Sequence, residues 1–152
     1  DVVGSYRLGL QSGDLTFTGA YNYNERKSTS GSADEDRRYE RQLPQHTANV
    51  TATYIPGPVE VFGRLRYYGE WTDFSDNANG QIYQDFGAKA FIDVGLTYNV
   101  TDNYSVRVGA ENVFDAYPDE ATYQANRGLI YSRNAPYDTD GGNYYIRLDA
   151  KF

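Results

Sequence analysis

The stretch that decides the fold is NYYIRLDAKF, residues 143–152. Tyr144, Ile146, Leu148, Ala150 and Phe152 alternate there with Tyr145, Arg147, Asp149 and Lys151. A side-chain period of two belongs to a β-strand, so the spacing predicts a strand with one apolar and one charged face. The same rhythm recurs back along the chain. It runs through Tyr6, Leu8 and Leu10, through Leu15, Phe17, Gly19, Tyr21 and Tyr23, and through Ala48, Val50, Ala52 and Tyr54. A longer stripe follows at Val59, Val61, Gly63, Leu65, Tyr67, Gly69 and Trp71. Ile92, Val94, Leu96 and Tyr98, then Tyr104, Val106, Val108 and Ala110, precede the closing stripe. Arg64, Arg66, Asp93, Arg107 and Glu111 lie on the opposite faces.

About seven strands result, and the connections between them alternate in length. Ser12-Gly13, Pro56-Gly57-Pro58 and Thr101-Asp102-Asn103 are short turn formers. Residues 25–45, 72–85 and 115–142 are long polar connections, and the first reads as a solvent-exposed or partly disordered loop. Such a meander gathers its short turns at one end and its long loops at the other, as outer-membrane barrels do. The apolar stripe is rich in small residues and bounded by aromatics. Tyr54, Tyr98, Tyr104 and Phe152 fall at the short-turn end; Tyr21, Tyr23, Tyr67, Trp71, Phe114 and Tyr144 fall at the long-loop end. Aromatic girdles flanking a smaller apolar band fit a lipid-facing surface with two interfaces. The alternative is a soluble antiparallel β-sandwich with its charged faces in water, in which Tyr67, Tyr68 and Trp71 would recognise carbohydrate.

The chain has 152 residues, a net charge of -7, no cysteine and 16 tyrosines. The acidic balance argues against a nucleic-acid partner. Without cysteine there is neither a disulfide framework nor a zinc-thiolate site. No run approaches the roughly 20 apolar residues of a membrane helix, and the mean hydropathy is -0.72. A barrel wall tolerates that value because only alternate residues meet lipid.

No catalytic constellation emerges, so the chain reads as neither an enzyme nor a cofactor or metal protein. His46 is the only histidine and stands at a strand start beside a charged loop. DNANG at 76–80 has calcium-loop residue types without the spacing or closing glutamate of such a loop, and reads as a turn. The aspartates of DTD at 138–140 are ordinary loop carboxylates, and the NVT triplets at 49–51 and 99–101 sit in or beside strands.

GAENVFDAYP at 109–118, YSRNAPYD at 131–138 and GGNYYIRLDAKF at 141–152 carry a resemblance. In that order they resemble the carboxy-terminal end of TonB-dependent outer-membrane receptors. The matching residues are Glu111, Asn112, Val113, Phe114 and Asp115, then Tyr144, Tyr145, Arg147, Leu148 and Phe152. FGAKAFIDVGLTYNVTDNYSVRVG at 86–109 is similar to the preceding hairpin of that family.

The resemblance implies an all-β, antiparallel transmembrane barrel of about 22 strands with a plugged lumen. Residues 1–152 would be its carboxy-terminal segment, a fragment of about seven strands without the plug domain. It also implies periplasmic short turns, extracellular long loops, an outer-membrane location and a charged face turned to the lumen. The implied activity is TonB-driven uptake of a scarce bulky nutrient, a ferric siderophore foremost; a passive porin is the other membrane alternative. The implied partners are the rest of the receptor with its plug, the TonB complex reached through the plug, outer-membrane lipid and a small-molecule substrate. The barrel-assembly machinery would read Tyr144, Ile146, Leu148 and Phe152 as its signal. Expected ligand contacts on the upper lumen and loops are Arg66, Tyr68, Trp71, Tyr83, Arg127, Tyr131, Arg133 and Tyr137. Aromatics there would pack on a ligand while arginines meet its negative groups. Asn112 and Asp115 are expected to fix loop geometry instead.

Overall fold

A computed structural model of the chain describes residues 1–29, 31–74, 82–122 and 128–152. In chain order the elements are β1 (Val2–Leu10), β2 (Gly13–Tyr23), α1 (Ala33–Arg41), β3 (His46–Ile55) and β4 (Val59–Tyr68). They continue with β5 (Trp71–Phe74), β6 (Tyr83–Phe86), β7 (Lys89–Asn99), β8 (Tyr104–Glu111) and β9 (Asn143–Ala150). Seven strands form one sheet in the order β1-β2-β3-β4-β7-β8-β9, and β5 and β6 form a separate hairpin. Every pairing is antiparallel.

The register keeps the faces pure across the whole sheet. One row runs Tyr6, Phe17, Ala52, Gly63, Val94, Ala110 and Tyr144. The adjacent row, on the other face, runs Arg7, Thr16, Thr53, Phe62, Gly95, Gly109 and Tyr145. A one-residue slip anywhere would exchange the faces, so the pattern itself holds the register. Gly95 and Gly109 are paired, and the rings of Phe62 and Tyr145 lie over them; a Cβ at either glycine would run into the ring. Aromatic rings laid over strand glycines in this way pin adjacent strands together.

Burial is inverted relative to a soluble sheet. On β7, Asp93 is 0% and Thr97 8% exposed, whereas Val94, Leu96 and Tyr98 are 38%, 41% and 46% exposed. In water that arrangement would leave apolar area uncovered and bury a carboxylate. Against lipid it is the arrangement expected.

The short connections are Gln11-Ser12, Pro56-Gly57-Pro58 and residues 100–103. Gly13 enters β2 at φ 148°, and a side chain there would meet the carbonyl of Ile55 on β3, so only glycine fits. The other rim carries the described residues of 24–45, 69–88 and 112–142.

On that rim the structure corrects three expectations. Residues 25–45 are not loop throughout, because Ala33–Arg41 is helical. Ser32 Oγ accepts from the Glu35 N–H while the Glu35 carboxylate accepts from the Ser32 N–H, with acidic residues in the first turn and Arg38 and Arg41 in the last. Capping and charge placement support the helix where no apolar stripe does. Second, β4 ends at Tyr68, and Trp71 is not in the aromatic girdle. The Gly69 N–H donates to the His46 carbonyl at 2.8 Å, after which the chain leaves the sheet and Trp71 opens β5 at 3% exposure. The connection read as loop over 72–85 therefore contains a hairpin, and the strand expected from Phe86 begins at Lys89. The turn read at 76–80 lies outside the described residues.

The carbohydrate patch of the sandwich reading also dissolves. Tyr67 and Tyr68 point to opposite faces of β4, and Trp71 is buried. Among the described residues the other sheet is only the two-stranded β5–β6 hairpin, too small to make the second layer of a sandwich.

Candidate functional site

The charged face of the sheet converges on Asp93. Its carboxylate accepts from Arg64 Nε at 2.8 Å, from Arg66 Nε at 2.8 Å and Nη2 at 2.9 Å, and from the Asn112 N–H at 2.9 Å. The register sets Arg64 directly opposite Asp93, with Arg66 two pairs further along on the same face, opposite Phe91. One carboxylate between two guanidiniums leaves the cluster a net positive charge. The Arg66 guanidinium also lies 5.4 Å from the Phe91 ring centre, within cation–π range. A hollow of about 310 Å³ lies on one side of Arg66, lined by Phe91, Glu111, Asp138 and Asn143. Another of about 400 Å³ lies on the other side, lined by Ala20, Asn22, Asn49 and Tyr68.

The segment NVFD turns the chain from β8 into the long loop. Asn112 and Asp115 have left-handed φ of 50° and 52°, a conformation Asn and Asp tolerate better than most residues. The Asn112 side chain donates to the Ala116 carbonyl at 2.8 Å and accepts from the Ala116 N–H at 3.0 Å. Asp115 accepts from the Gly142 N–H at 2.8 Å, joining the two feet of the loop.

Above the sheet the β5–β6 hairpin and loop 112–142 form a cap. Trp71 stacks on Phe86 with ring centres 4.6 Å apart, and Ala121 and Ala135 pack against them. Trp71 Nε1 donates to the Tyr137 hydroxyl at 3.3 Å, and Tyr137 packs against Tyr68 and Phe91 with ring centres at 5.2 and 5.3 Å. Asp73, 1% exposed, accepts from Ser132 Oγ and, at 2.9 Å, from Asn134 Nδ2. Asp119 accepts from Lys89 Nζ at 2.7 Å and from the Gly87 N–H at 3.1 Å. The Lys89 ammonium, aided by the Gly87 N–H against a desolvation cost, holds the Asp119 carboxyl below the usual carboxylate range.

The residues expected to meet a ligand are therefore divided. Arg66 and Tyr68 stand on the wall between the hollows. Trp71 and Tyr137, 3% and 7% exposed, are spent on the interior of the cap. Tyr83 is exposed, with Arg37 4.6 Å from its ring centre. Tyr131 stacks on Tyr117 at 5.9 Å, and Arg133 is exposed on the cap. Arg127 lies outside the described residues. The alternation of the sequence places Arg64 and Asp93 on the right face but does not reveal their convergence. Opposite charges at facing positions of paired strands were the available signal. The roles of Asp73 and Ser132 had none, being separated by a long stretch of chain.

A sheet whose outer face is apolar, whose inner face is charged and whose long loops share one rim is the wall of a transmembrane β-barrel. The sequence model of the family described as "TonB dependent receptor-like, beta-barrel" matches residues 1–113, and the chain belongs to that family. The match falls on β1 to β8, including strands whose only sequence signal was their rhythm. The chain is 27% identical over 145 residues to an iron-regulated outer membrane virulence protein of Vibrio cholerae serotype O1, covering 93% of this chain and 19% of that protein. Its fold is similar to a single-residue mutant of the ferric enterobactin receptor of Pseudomonas aeruginosa, with a TM-score of 0.64 and 20% identity over 99% of this chain and 22% of that one. A variant of that receptor in complex with enterobactin gives a TM-score of 0.66 at 19% identity. The chain thus spans about a fifth of the proteins it matches.

Proposed function

We propose that the chain is the carboxy-terminal barrel segment of a receptor in the bacterial outer membrane, and that the whole receptor takes up a ferric siderophore. The inverted burial of the sheet carries the membrane part of this reading. An open edge cannot face hydrocarbon, because its backbone groups would be unsatisfied. The unpaired edges of β1 and β9 therefore call for further strands of the same receptor. A plug domain and TonB complete the reading, the plug against the charged face and TonB as the source of energy. No bond in the ligand is made or broken, so the receptor is a transporter and not an enzyme.

The ligand class rests on the relatives, one iron-regulated and another a ferric enterobactin receptor, and on the chemistry around Arg66. Arg66 offers its guanidinium to a largely apolar hollow that also presents Asn22, Asn49 and Tyr68 beside the Asp1 carboxylate, and the guanidinium and amides would meet the oxygens of a bulky anion. Tyr83, Tyr131 and Arg133 would approach such a ligand from the cap.

The test uses the full-length receptor in a strain that lacks its own siderophore receptors. Ferric enterobactin or a ferric hydroxamate as sole iron source should restore growth. Arg66→Ala should weaken binding of the active complex about tenfold, the equivalent of roughly 1.4 kcal/mol, with the amount of assembled barrel unchanged. Growth on cobalamin or haem but on neither iron complex would overturn the siderophore reading.

A further inference from the structure

Arg107 on β8 and Arg147 on β9 stand directly opposite each other on the charged face. Like charges at facing positions of paired strands repel unless carboxylates lie close. Arg147 has one: its Nε and Nη2 both bond Asp149 Oδ1 at 2.8 Å. Arg107 has no acid of its own among the described residues, and its Nε donates to the neutral hydroxyl of Thr97 at 2.9 Å. The row they share runs Glu60, Thr97, Arg107 and Arg147. Glu60 is two strands from Arg107 with Thr97 between, a backbone separation of roughly 10 Å. Two guanidiniums and one carboxylate therefore leave this spot with an uncompensated positive charge.

The sheet itself does not supply the missing acid. The diagonal neighbours of Arg107 are Gly95, Asn99, Tyr145 and Asp149, and Asp149 is already held by Arg147. A strand added at the free edge of β9 would lie two strands from Arg107, because β9 stands between them. An acid on that strand would reach Arg147 instead. The terminal nitrogens of Arg107 are thus left to a group that approaches the face from the lumen. The plug of the proposed receptor would cover this face and exclude water, and charges buried in that way are costly unless they are paired. A further carboxylate removes the imbalance and takes two parallel N–H bonds from one guanidinium. The chain spans about a fifth of the proteins it matches, so such a segment has ample chain to come from.

We propose that Arg107, with Arg147 beside it, is a docking point for an aspartate or glutamate side chain of the plug. The Phe62 and Tyr145 rings, in the neighbouring row of the same face, border the contact with apolar surface. This rests on the reading of the chain as part of a plugged receptor, and adds the chemistry that joins wall and plug at this spot.

Hydrogen exchange of the full-length receptor in detergent micelles, without ligand, tests it. Arg107→Gln should speed exchange about tenfold in one plug segment that contains an Asp or Glu, and leave 104–111 and 143–150 unchanged. Arg107→Lys keeps the charge and should restore most of the protection. If Arg107→Gln fails to assemble a heat-modifiable barrel, Arg147→Gln reads the same contact from a side chain 65% exposed, with a smaller acceleration in the same plug segment. Acceleration confined to β8 and β9, or none in the plug, would overturn the proposal. Photo-crosslinking from Tyr145→p-benzoylphenylalanine separates that result from failure of the plug reading, and its cross-link should fall in or beside the same plug segment. A cross-link to the plug with unchanged plug exchange overturns the docking acid alone. Cross-links only to other barrel strands overturn the plug reading with it.

Discussion

Leu148 and Arg147 are chain neighbours that meet different media. Leu148 is 76% exposed on the apolar face, opposite Val106. Arg147 turns to the charged face and bonds Asp149 at 2.8 Å, with both side chains well exposed. A charge at a lipid-facing position costs roughly 2 kcal/mol at mid-membrane, somewhat less for an acid. An exposed ion pair is worth about 0–1 kcal/mol. Leu148→Asp should therefore reduce the heat-modifiable barrel in outer-membrane fractions more than Arg147→Ala does. Normal levels for Leu148→Asp would mean that the faces are reversed. Asp119 makes a different kind of prediction. Its folded pKa lies below the unfolded one, so its stabilising contribution is complete above about pH 4, the ordinary carboxylate value, and is lost as pH falls from there through the folded value. Exchange at 87–89 and 119–122 should be the same at pH 7 and pH 5 after correction for intrinsic rates, and faster at pH 3. Loosening between pH 7 and 5 would assign the anchor to another group.

Among the elements, α1 shows what periodicity overlooks. Its helix carries no apolar stripe, yet Ser32 and Glu35 stand at the spacing of a capping box, acids precede bases, and Gly31 and Ser32 mark the entry. Those signals are written in the amino-acid order alone. Ser32→Ala removes the side-chain acceptor of the cap and should cost about 1 kcal/mol of helix stability, or about fivefold faster exchange at 33–41. Asp at the same position should restore protection, since it caps equally well. No change in Ser32→Ala would mean that the helix is held from outside. The β5–β6 hairpin is less legible. WTDF and YQDF are too short for alternation to distinguish strand from loop, and their pairing is stable only because the cap covers Trp71 and Phe86.

For the whole molecule, the segregation of short and long connections fixes an orientation that labelling can check. In cells making the full receptor, Lys27→Cys in the long connection between β2 and β3 should react with an impermeant maleimide, and Asp102→Cys in the short turn should not. The reverse pattern would invert the receptor in the membrane. The same segregation explains why the family is recognisable from a segment: each hairpin repeats the lipid face, the lumen face and the loop asymmetry, so a few strands carry the signature of the whole wall.

The sequence by itself determined about seven sheet strands, the face on which most residues of β1 to β4 and β7 to β9 lie, and which rim bears the long loops. These are local properties: a period of two is written in adjacent residues, and turns are written in their own glycines and prolines. Only the tertiary structure decided that Trp71 leaves the girdle for a core, that Asp93 serves two arginines and the Asn112 N–H, and that Asp73 meets Ser132. Each of those facts depends on which distant side chains arrive at the same place. Strand spacing sets directions but not the company a side chain keeps once the chain leaves the sheet.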